Sequence, residues 1–173
     1  MKKYELTEET VTVYGKTLYR IRAVRDFGSV KTGEFGGYIE KEENLSHFGN
    51  AWVYDNAWVF GNAWVFGNAK VYDDAWVCGD AKVYGDAWVS GNAEVFNTRH
   101  FFVQGPIGSR NGFITFYRTK DNTVEVRCGC FSGSLQKFVD RVEETHGGSR
   151  YEKEYKLAAE LAKVCIRLEG ESR

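Results

Sequence analysis

The sequence predicts a mainly β protein. A narrow coiled tube of short strands carries an N-terminal β-hairpin cap and ends in a small α+β domain of a β-hairpin plus two helices. Three observations predict it. From Gly49 to Phe96 a six-residue phrase, Gly/Asp–Asn/Asp–Ala–Trp/Lys/Glu–Val–aromatic, repeats eight times without a gap, with Cys78 and Ser90 in two of the aromatic places. Such a fixed short period marks a solenoid. Residues 1–36 alternate as a hairpin before the repeat. Residues 99–173 abandon it for strand spacing and then helical spacing.

Strand side chains alternate faces with period two, so an even repeat puts the same residue types on the same side in every copy. Ala and Val share one side, from Ala51/Val53 to Ala93/Val95. The fourth and sixth positions share the other. Lys70 and Lys82 occupy the Trp position, and lysine is almost never fully buried without a partner. Ala and Val therefore point inward and the aromatics outward. A core of Ala and Val suits a thin tube with tight corners. Gly, Asn and Asp supply the corners because they accept the positive φ that sharp turns demand.

At these residues the chain resembles the hexapeptide-repeat family, left-handed parallel β-helices with three hexads per triangular coil. The family's aliphatic residue with a small residue two places away is Ala-x-Val here. An up-and-down meander is the rival arrangement, since Asp-Asn and Gly-Asn also make hairpin turns. It leaves exposed strand edges and one uncovered apolar face. The closed coil has neither liability. Eight hexads make less than three coils. Tyr38–Phe48 continues the phase loosely, with Ile39 and Leu45 at the Ala position, and brings the tube to a little over three. Solenoid ends need polar or folded caps.

The organisation expected is thus 1–36 as the N-terminal β cap, 37–98 as the β-helix and 99–173 as the C-terminal α+β domain. In the cap, Thr10–Val13 and Leu18–Val24 flank Tyr14-Gly15-Lys16. Asp26-Phe27-Gly28 turns the chain, and Gly36-Gly37 admits it to the first coil. Beyond the repeat, His100–Gln104 and Phe113–Arg118 read as strands, and Thr123–Cys130 alternates as a paired strand. Ser134 is an N-cap before Leu135, Phe138, Val139 and Val142 at helical spacing, and Gly147-Gly148 ends that helix. A second helix over about Tyr151–Leu168 shows Tyr155, Leu157, Leu161, Val164, Cys165 and Leu168 as its apolar side.

The segment Gly105–Asn111, with Cys128-Gly129-Cys130-Phe131 and Thr145-His146-Gly147, resembles a small domain at the end of phage and prophage proteins, where it often follows hexapeptide repeats and a cap of this kind. That resemblance implies a mobile-element origin and brings no established activity.

The chain has 173 residues and net charge −1. Residues 1–48 hold eight basic and eight acidic side chains, residues 49–96 two and six, residues 99–173 thirteen and ten. This imbalance is too weak for a nucleic-acid phosphate track. No apolar run is long enough to span a bilayer, and Met1-Lys2-Lys3 leads into no signal-peptide core. Four scattered cysteines read as cytosolic thiols, and the phage resemblance implies that the cytoplasm is that of a bacterial host.

Four kinds of site follow. The first is acyl transfer, because many hexapeptide-repeat proteins are trimeric acyltransferases using acetyl-CoA, with a histidine base. The repeat holds no histidine and no inserted loop. His47 falls at a Val position and His100 just beyond the repeat, so the expectation is a binding protein with no cofactor and no catalytic residue. The second is the outward rows. Residues eighteen apart stack one strand spacing (~4.8 Å) apart, giving Trp52/Lys70/Trp88 with Tyr54/Tyr72/Ser90, then Trp58/Trp76/Glu94 with Phe60/Cys78/Phe96, then Trp64/Lys82 with Phe66/Tyr84. Face two has no lysine and is the best candidate for burial in a homo-oligomer or against the C-terminal domain. Trp52, Trp88, Trp64 and Phe66 are further interface candidates.

The third is an anion cradle at Gly105–Asn111, with Ser109, Arg110 and Asn111 as donors and Arg118, Arg127 and His146 as companions. Its donors suit phosphate or carboxylate, and the phage resemblance implies a nucleotide-derived small molecule as one such ligand. The fourth is metal. Cys128, Cys130 and His146 offer three zinc ligands without a fourth. Asp74, Asp80 and Asp86 sit on successive corners and only Asp55 and Asp73 share one, which is too few oxygens for calcium. The partner expected is a further copy of the chain; the phage resemblance implies a host defence protein or a nucleotide-derived signal as target, with a structural virion or polymer-forming protein as a further alternative.

Overall fold

The computed structural model describes residues 1–169. The chain divides into two compact units, Met1–Thr98 and Arg99–Arg173. The hairpin cap and the tube belong to the same unit.

That first unit is a β-solenoid of about three turns. Its strands are β1 (Tyr4–Val13), β2 (Lys16–Ala23), β3 (Phe35–Ile39), and then eight of two residues each. These are β4 (Trp52–Val53), β5 (Trp58–Val59), β6 (Trp64–Val65), β7 (Lys70–Val71), β8 (Trp76–Val77), β9 (Lys82–Val83), β10 (Trp88–Val89) and β11 (Glu94–Val95). Strands three apart in the repeat pair in parallel, Trp52 with Lys70 and Lys70 with Trp88 on face one. Trp58 pairs with Trp76 and Trp76 with Glu94 on face two, and Trp64 with Lys82 on face three. Parallel pairing of residues eighteen apart is coiling, not a meander. Backbone bonds join each coil to the next, as in Trp58 N–H to Ala75 O at 2.9 Å and Phe60 N–H to Val77 O at 3.0 Å. The inward Ala and Val are sealed, at 0–1% exposure from Ala51 to Val95.

Corners carry the positive φ expected of Gly, and Asp55 and Asp73 adopt it too, at +50° and +57°. Each corner is tied to the next coil. Asn50 Nδ2 donates to Asn68 Oδ1 at 3.2 Å, and Asn68 Nδ2 to Asp86 Oδ1 at 3.1 Å. Asp73 Oδ2 accepts from Gly91 N–H at 3.0 Å. The corner carboxylates thus hold either backbone, as Asp73 does, or a corner amide, as Asp86 does.

The irregular first coil departs from the expected phase. Ile39 pairs with Val59 and Leu45 bridges Val65, so both occupy the Val position rather than the Ala position. Two extra residues in the Ser46–Asn50 corner cause the slip. Gly36 and Gly37 are required where β3 meets the coil, because a Cβ would lie 2.5 Å from Val53 O and 2.5 Å from Ala57 O respectively.

The hairpin does more than close an end. β1 pairs with β2, β2 with β3, and the sheet runs on through β5, β8 and β11. Its tip turns at Tyr14 and Gly15, both at positive φ. Leu18, with Val11 and Val13, then packs on Tyr38, Phe60 and Cys78, beside Trp58 and Phe96. The apolar face of a two-stranded ribbon needs such a surface to be stable.

The second unit is a four-stranded antiparallel sheet with two helices: β12 (Phe101–Ile107), β13 (Gly112–Arg118), β14 (Val124–Cys128) and β15 (Phe131–Ser134), then α1 (Leu135–His146) and α2 (Arg150–Cys165). β15 extends the expected hairpin. Ser134 Oγ caps α1 by accepting from Lys137 N–H, and Ser149 Oγ caps α2 by accepting from Glu152 N–H. The core joins Ile114, Phe116 and Val126 of the sheet to Phe138, Val142, Tyr155, Ala158, Ala159, Ala162 and Ile166.

This corrects the expected apolar side of α2. Leu157 and Val164 are 71% and 80% exposed, and Leu161 faces solvent as well. The alanines face inward instead. Their small side chains let the helix backbone approach α1 and the sheet closely enough for Phe138 and Tyr155 to meet edge to face at 5.7 Å.

Candidate functional site

On the solenoid surface the three outward rows form, but they differ in cover. Trp58 and Trp76 stack at 4.9 Å, Tyr54 and Tyr72 at 4.3 Å, and Phe66 and Tyr84 at 5.4 Å. Lys70 Nζ lies 5.0 Å from the Trp88 ring centre, a cation–π contact. On face two, Phe60 is buried and Trp58, Trp76 and Phe96 are half-buried, because the chain's own hairpin lies on them. The hairpin tip reaches Trp76, where Tyr14 meets it edge-on at 6.0 Å. On face three Trp64 and Tyr84 are exposed, and Phe66 is half-buried against Trp64.

Trp52 departs furthest from expectation, at 0% exposure. Tyr4 and Phe27 meet its indole edge-on at 6.0 and 5.2 Å. Beside it the Lys3 ammonium is buried. It donates to Ala51 O at 2.7 Å and lies 4.8 Å from the Phe27 ring centre. Burial, reinforced by Arg25, lowers the Lys3 pKa to about 8. Outward Trp52 is thus enclosed by a polar-tipped lid drawn from residues 3–27, which nothing in the repeat announces. Trp88, on the same face, is half-buried.

The histidines near the solenoid are engaged. The His47 ring stacks on Tyr4 at 4.3 Å, and its Nδ1 accepts from Lys3 N–H at 3.2 Å. That assigns the neutral ring's proton to Nε2, which lies 3.6 Å from Glu42 Oε2. His100 is buried.

In the second unit the expected loop at Gly105–Asn111 is largely strand and tight turn. Gly105–Ile107 belong to β12, and Asn111 N–H closes the turn on Gly108 O at 3.2 Å. The cradle is already filled by the chain's own anion: Gly108 N–H donates to Glu154 Oε2 at 2.7 Å. Gly108, at φ +72°, is needed for a second reason. A Cβ there would lie 1.9 Å from the Tyr155 hydroxyl oxygen. Ser109, Arg110 and Asn111 stand exposed at the turn.

The expected companions separate. Arg118 is at the far end of β13 from that turn and almost wholly buried, its guanidinium bound to Asn122 Oδ1 at 3.2 Å and Glu169 Oε1 at 2.9 Å. It fastens the segment after α2 to the β13–β14 turn. Arg127 lies opposite Thr115 and Ser132, on the sheet face away from Cys128 and the helices. Arg110 does reach Tyr155 and Cys128 electrostatically. His146 sits 5.6 Å from the Tyr155 ring and 6.0 Å from Tyr151.

What converges is a thiol–phenol pair. The Tyr155 hydroxyl and the Cys128 thiol are close enough to shift each other's ionisation, and Cys130 is near enough to influence Cys128. Burial and the neighbouring Cys128 push Tyr155 up to about 12. Burial also raises Cys128. Among the described residues no group of three or more His, Cys, Asp or Glu is arranged to hold a metal ion, so Cys128, Cys130 and His146 are not brought into a zinc site. Sequence reasoning missed Tyr155, Glu154 and Gly108 as one cluster. The signal available was the lone glycine of the turn, since such a position marks close approach.

The architecture so far is a β-solenoid built on hexapeptide repeats. No family model matches the chain. Among curated proteins it is similar to the Escherichia coli (strain K12) protein named uncharacterized acetyltransferase YdcK, at 38% identity over 63 residues. The match covers 32% of this chain and 19% of that protein. The matched stretch thus spans about a fifth of that protein's length.

Proposed function

We propose that the chain is a hexapeptide-repeat protein of the acetyltransferase class, with acyl-CoA as donor. The observation that carries this reading is the 38% identity over 63 residues to a protein named as an acetyltransferase, joined to this chain's solenoid of hexapeptide repeats. Acyl transfer from a thioester needs a base for the acceptor's proton and donors for the oxyanion. In this reading the base is His47 or His100, the two histidines that flank the repeat. His47 acts only after releasing the Lys3 N–H or exchanging its tautomer. Calorimetric titration with CoA, and release of free CoA thiol from acetyl-CoA with a panel of amine and hydroxyl acceptors, test it. Binding together with turnover lost in His47→Gln or His100→Gln supports it. Absence of both CoA binding and thiol release overturns it.

A second reading is favoured by two specific observations. The His47 ring is committed to Tyr4 and Lys3, and α2 turns Leu157, Leu161 and Val164 to solvent. A binding protein without turnover needs no free base and does need an apolar contact surface. In this reading the chain is a phage or prophage protein in a bacterial cytoplasm. It self-associates through its outward aromatics and restrains a host defence protein or sequesters a nucleotide-derived signal. Titration with cyclic and linear nucleotides, and affinity capture with and without Leu157→Lys/Val164→Lys, test it. No nucleotide heat and no partner lost on the double substitution would sink it.

A further inference from the structure

The turn between β14 and β15 carries two thiols that neither reading uses. Cys128 and Phe131 face each other across the strand pair, so Gly129-Cys130 is a two-residue hairpin turn. Gly129 has φ +58°, as the first central residue of such a turn requires. A turn folds two Cα–Cα steps of about 3.8 Å into a span of about 5–6 Å, inside the range of about 4.4–6.8 Å that disulfides use. Gly129 has nothing within 4 Å of a hypothetical Cβ, so the turn has room to adjust.

The two thiols differ in surroundings. Cys130 is exposed and stands at the mouth of an open cleft with Phe131, Ser132, Lys137, Asp140 and Arg141. Cys128 is half-buried against the helix-facing core that contains Tyr155, and lies within electrostatic reach of Arg110. The remaining cysteines are elsewhere. Cys78 is buried in the solenoid unit. Cys165 ends α2, about 15 Å along the helix from Tyr155 at 1.5 Å per residue.

We propose that Cys128-Gly129-Cys130 is a redox-active dithiol that closes to a disulfide on reaction with a hydroperoxide. The exposed Cys130 thiolate attacks one peroxide oxygen. The O–O bond breaks, and the departing hydroxide or alkoxide takes up a proton, leaving Cys130 as a sulfenic acid. Cys128 then loses its proton and its sulfur attacks the sulfenyl sulfur. The S–S bond forms, the S–O bond breaks, and the hydroxide leaves as water with the proton from Cys128. Two thiols are oxidised by two electrons, and the peroxide is reduced to water and water or alcohol. Burial disfavours the Cys128 thiolate, and Tyr155 and Arg110 offset part of that cost during the second step. Closure takes the thiol from Tyr155, whose hydroxyl sits directly over Gly108.

The test uses the full chain, hydrogen peroxide and thiol alkylation read by intact mass and peptide mapping. The expected result is loss of two of the four alkylatable thiols, both in the peptide holding Cys128 and Cys130, with a mass lower by two hydrogens and full recovery on reduction. In Cys128→Ser the sulfenic acid has no resolving thiol, so a dimedone adduct accumulates on Cys130. Cys130→Ser leaves Cys128 alkylatable under the same exposure. Retention of all four thiols, over-oxidation of Cys130 with Cys128 still free, or a disulfide formed through Cys165 or between chains overturns the proposal.

Discussion

Inside the eight regular hexads every inward place is Ala or Val, and each layer meets a copy of itself one coil away. Ala57 and Val59 lie over Ala75 and Val77, and those over Ala93 and Val95. The core of the second unit follows no repeat. Phe116, Phe138 and Tyr155 meet edge to face at 5.7–6.1 Å, and Ala158, Ala159 and Ala162 fill the space that remains. The first region repeats one small rule, so an error at one coil is met by identical neighbours that cannot rearrange. The second is a set of unique fits, where loss of one large side chain empties a large volume.

The largest expected effect probes the first half of that contrast. Val77→Asp places a carboxyl in the tube at a position with 0% exposure. Even if it stays neutral, raising its pKa by about 3–5 units costs about 4–7 kcal/mol. That rivals the whole stability of a small domain, about 5–15 kcal/mol. The solenoid should lose its structure, seen as loss of near-ultraviolet tryptophan dichroism, since all five tryptophans lie in it. Retention of that signal would mean the tube is wetter or looser than its Ala–Val lining implies. Next comes Phe138→Ala, expected to cost the second unit about 3–5 kcal/mol by cavity formation. Urea unfolding followed by helix dichroism checks it, and a cost under about 1 kcal/mol would show that α1 and α2 collapse freely around the gap.

The contrast also explains what could be read in advance. The alternation of Ala51 and Val53, and the lysines at the tryptophan places, fix the inward and outward faces because each residue repeats its neighbours' message. Trp52 escaped that reading. Its cover, Tyr4 and Phe27, lies far back in the sequence, and no local period predicts a contact at that separation. The two-residue slip at Ser46–Asn50 hid because only Ile39 and Leu45 mark the phase there. In the second unit the strand Phe131–Ser134 went unforeseen, since Ser132-Gly133-Ser134 lacks strand character. On α2 a helical wheel of hydrophobicity chose Leu157 and Val164 over the alanines. Close helix packing selects for size as well as polarity, and a wheel weighs only polarity. Of the site, Arg110, Cys128 and His146 were visible as residue types. Their meeting around Tyr155 was not, because it depends on how α2 crosses the sheet.

The lid over Trp52 offers a third test, through pH. The folded pKa of Lys3 is about 8, below the ordinary lysine value of 10.5. Between those values the unfolded chain binds more protons than the folded one, so stability rises with pH across that window. The full gain is about 3 kcal/mol at 1.36 kcal/mol per unit. Tyr4 is raised in the folded state, chiefly by burial, so above pH 10 the unfolded chain ionises it first and stability falls again. Urea midpoints taken from pH 7 to 10 should climb and then flatten. Lys3→Met removes the climb, and a flat profile in the native chain would show that its ammonium reaches water.

The smallest effect separates the two regions at their edges. In the second unit, Ser149 caps α2, and Ser149→Ala should cost about 1 kcal/mol. In the solenoid, Asn68 both accepts from Asn50 and donates to Asp86. These bonds are exposed, so water replaces them readily, and the net worth of each is at the low end of about 0.5–1.5 kcal/mol. The backbone corner is already closed without them, by Asn68 N–H to Gly85 O at 2.9 Å. Asn68→Ala should therefore cost less than Ser149→Ala when both are measured by urea unfolding of the same protein. The reverse order would mean that the side-chain ladder, rather than the Ala–Val lining, sets the register of the coils. Asn50→Ala would then cost as much again, because it removes the rung directly beneath.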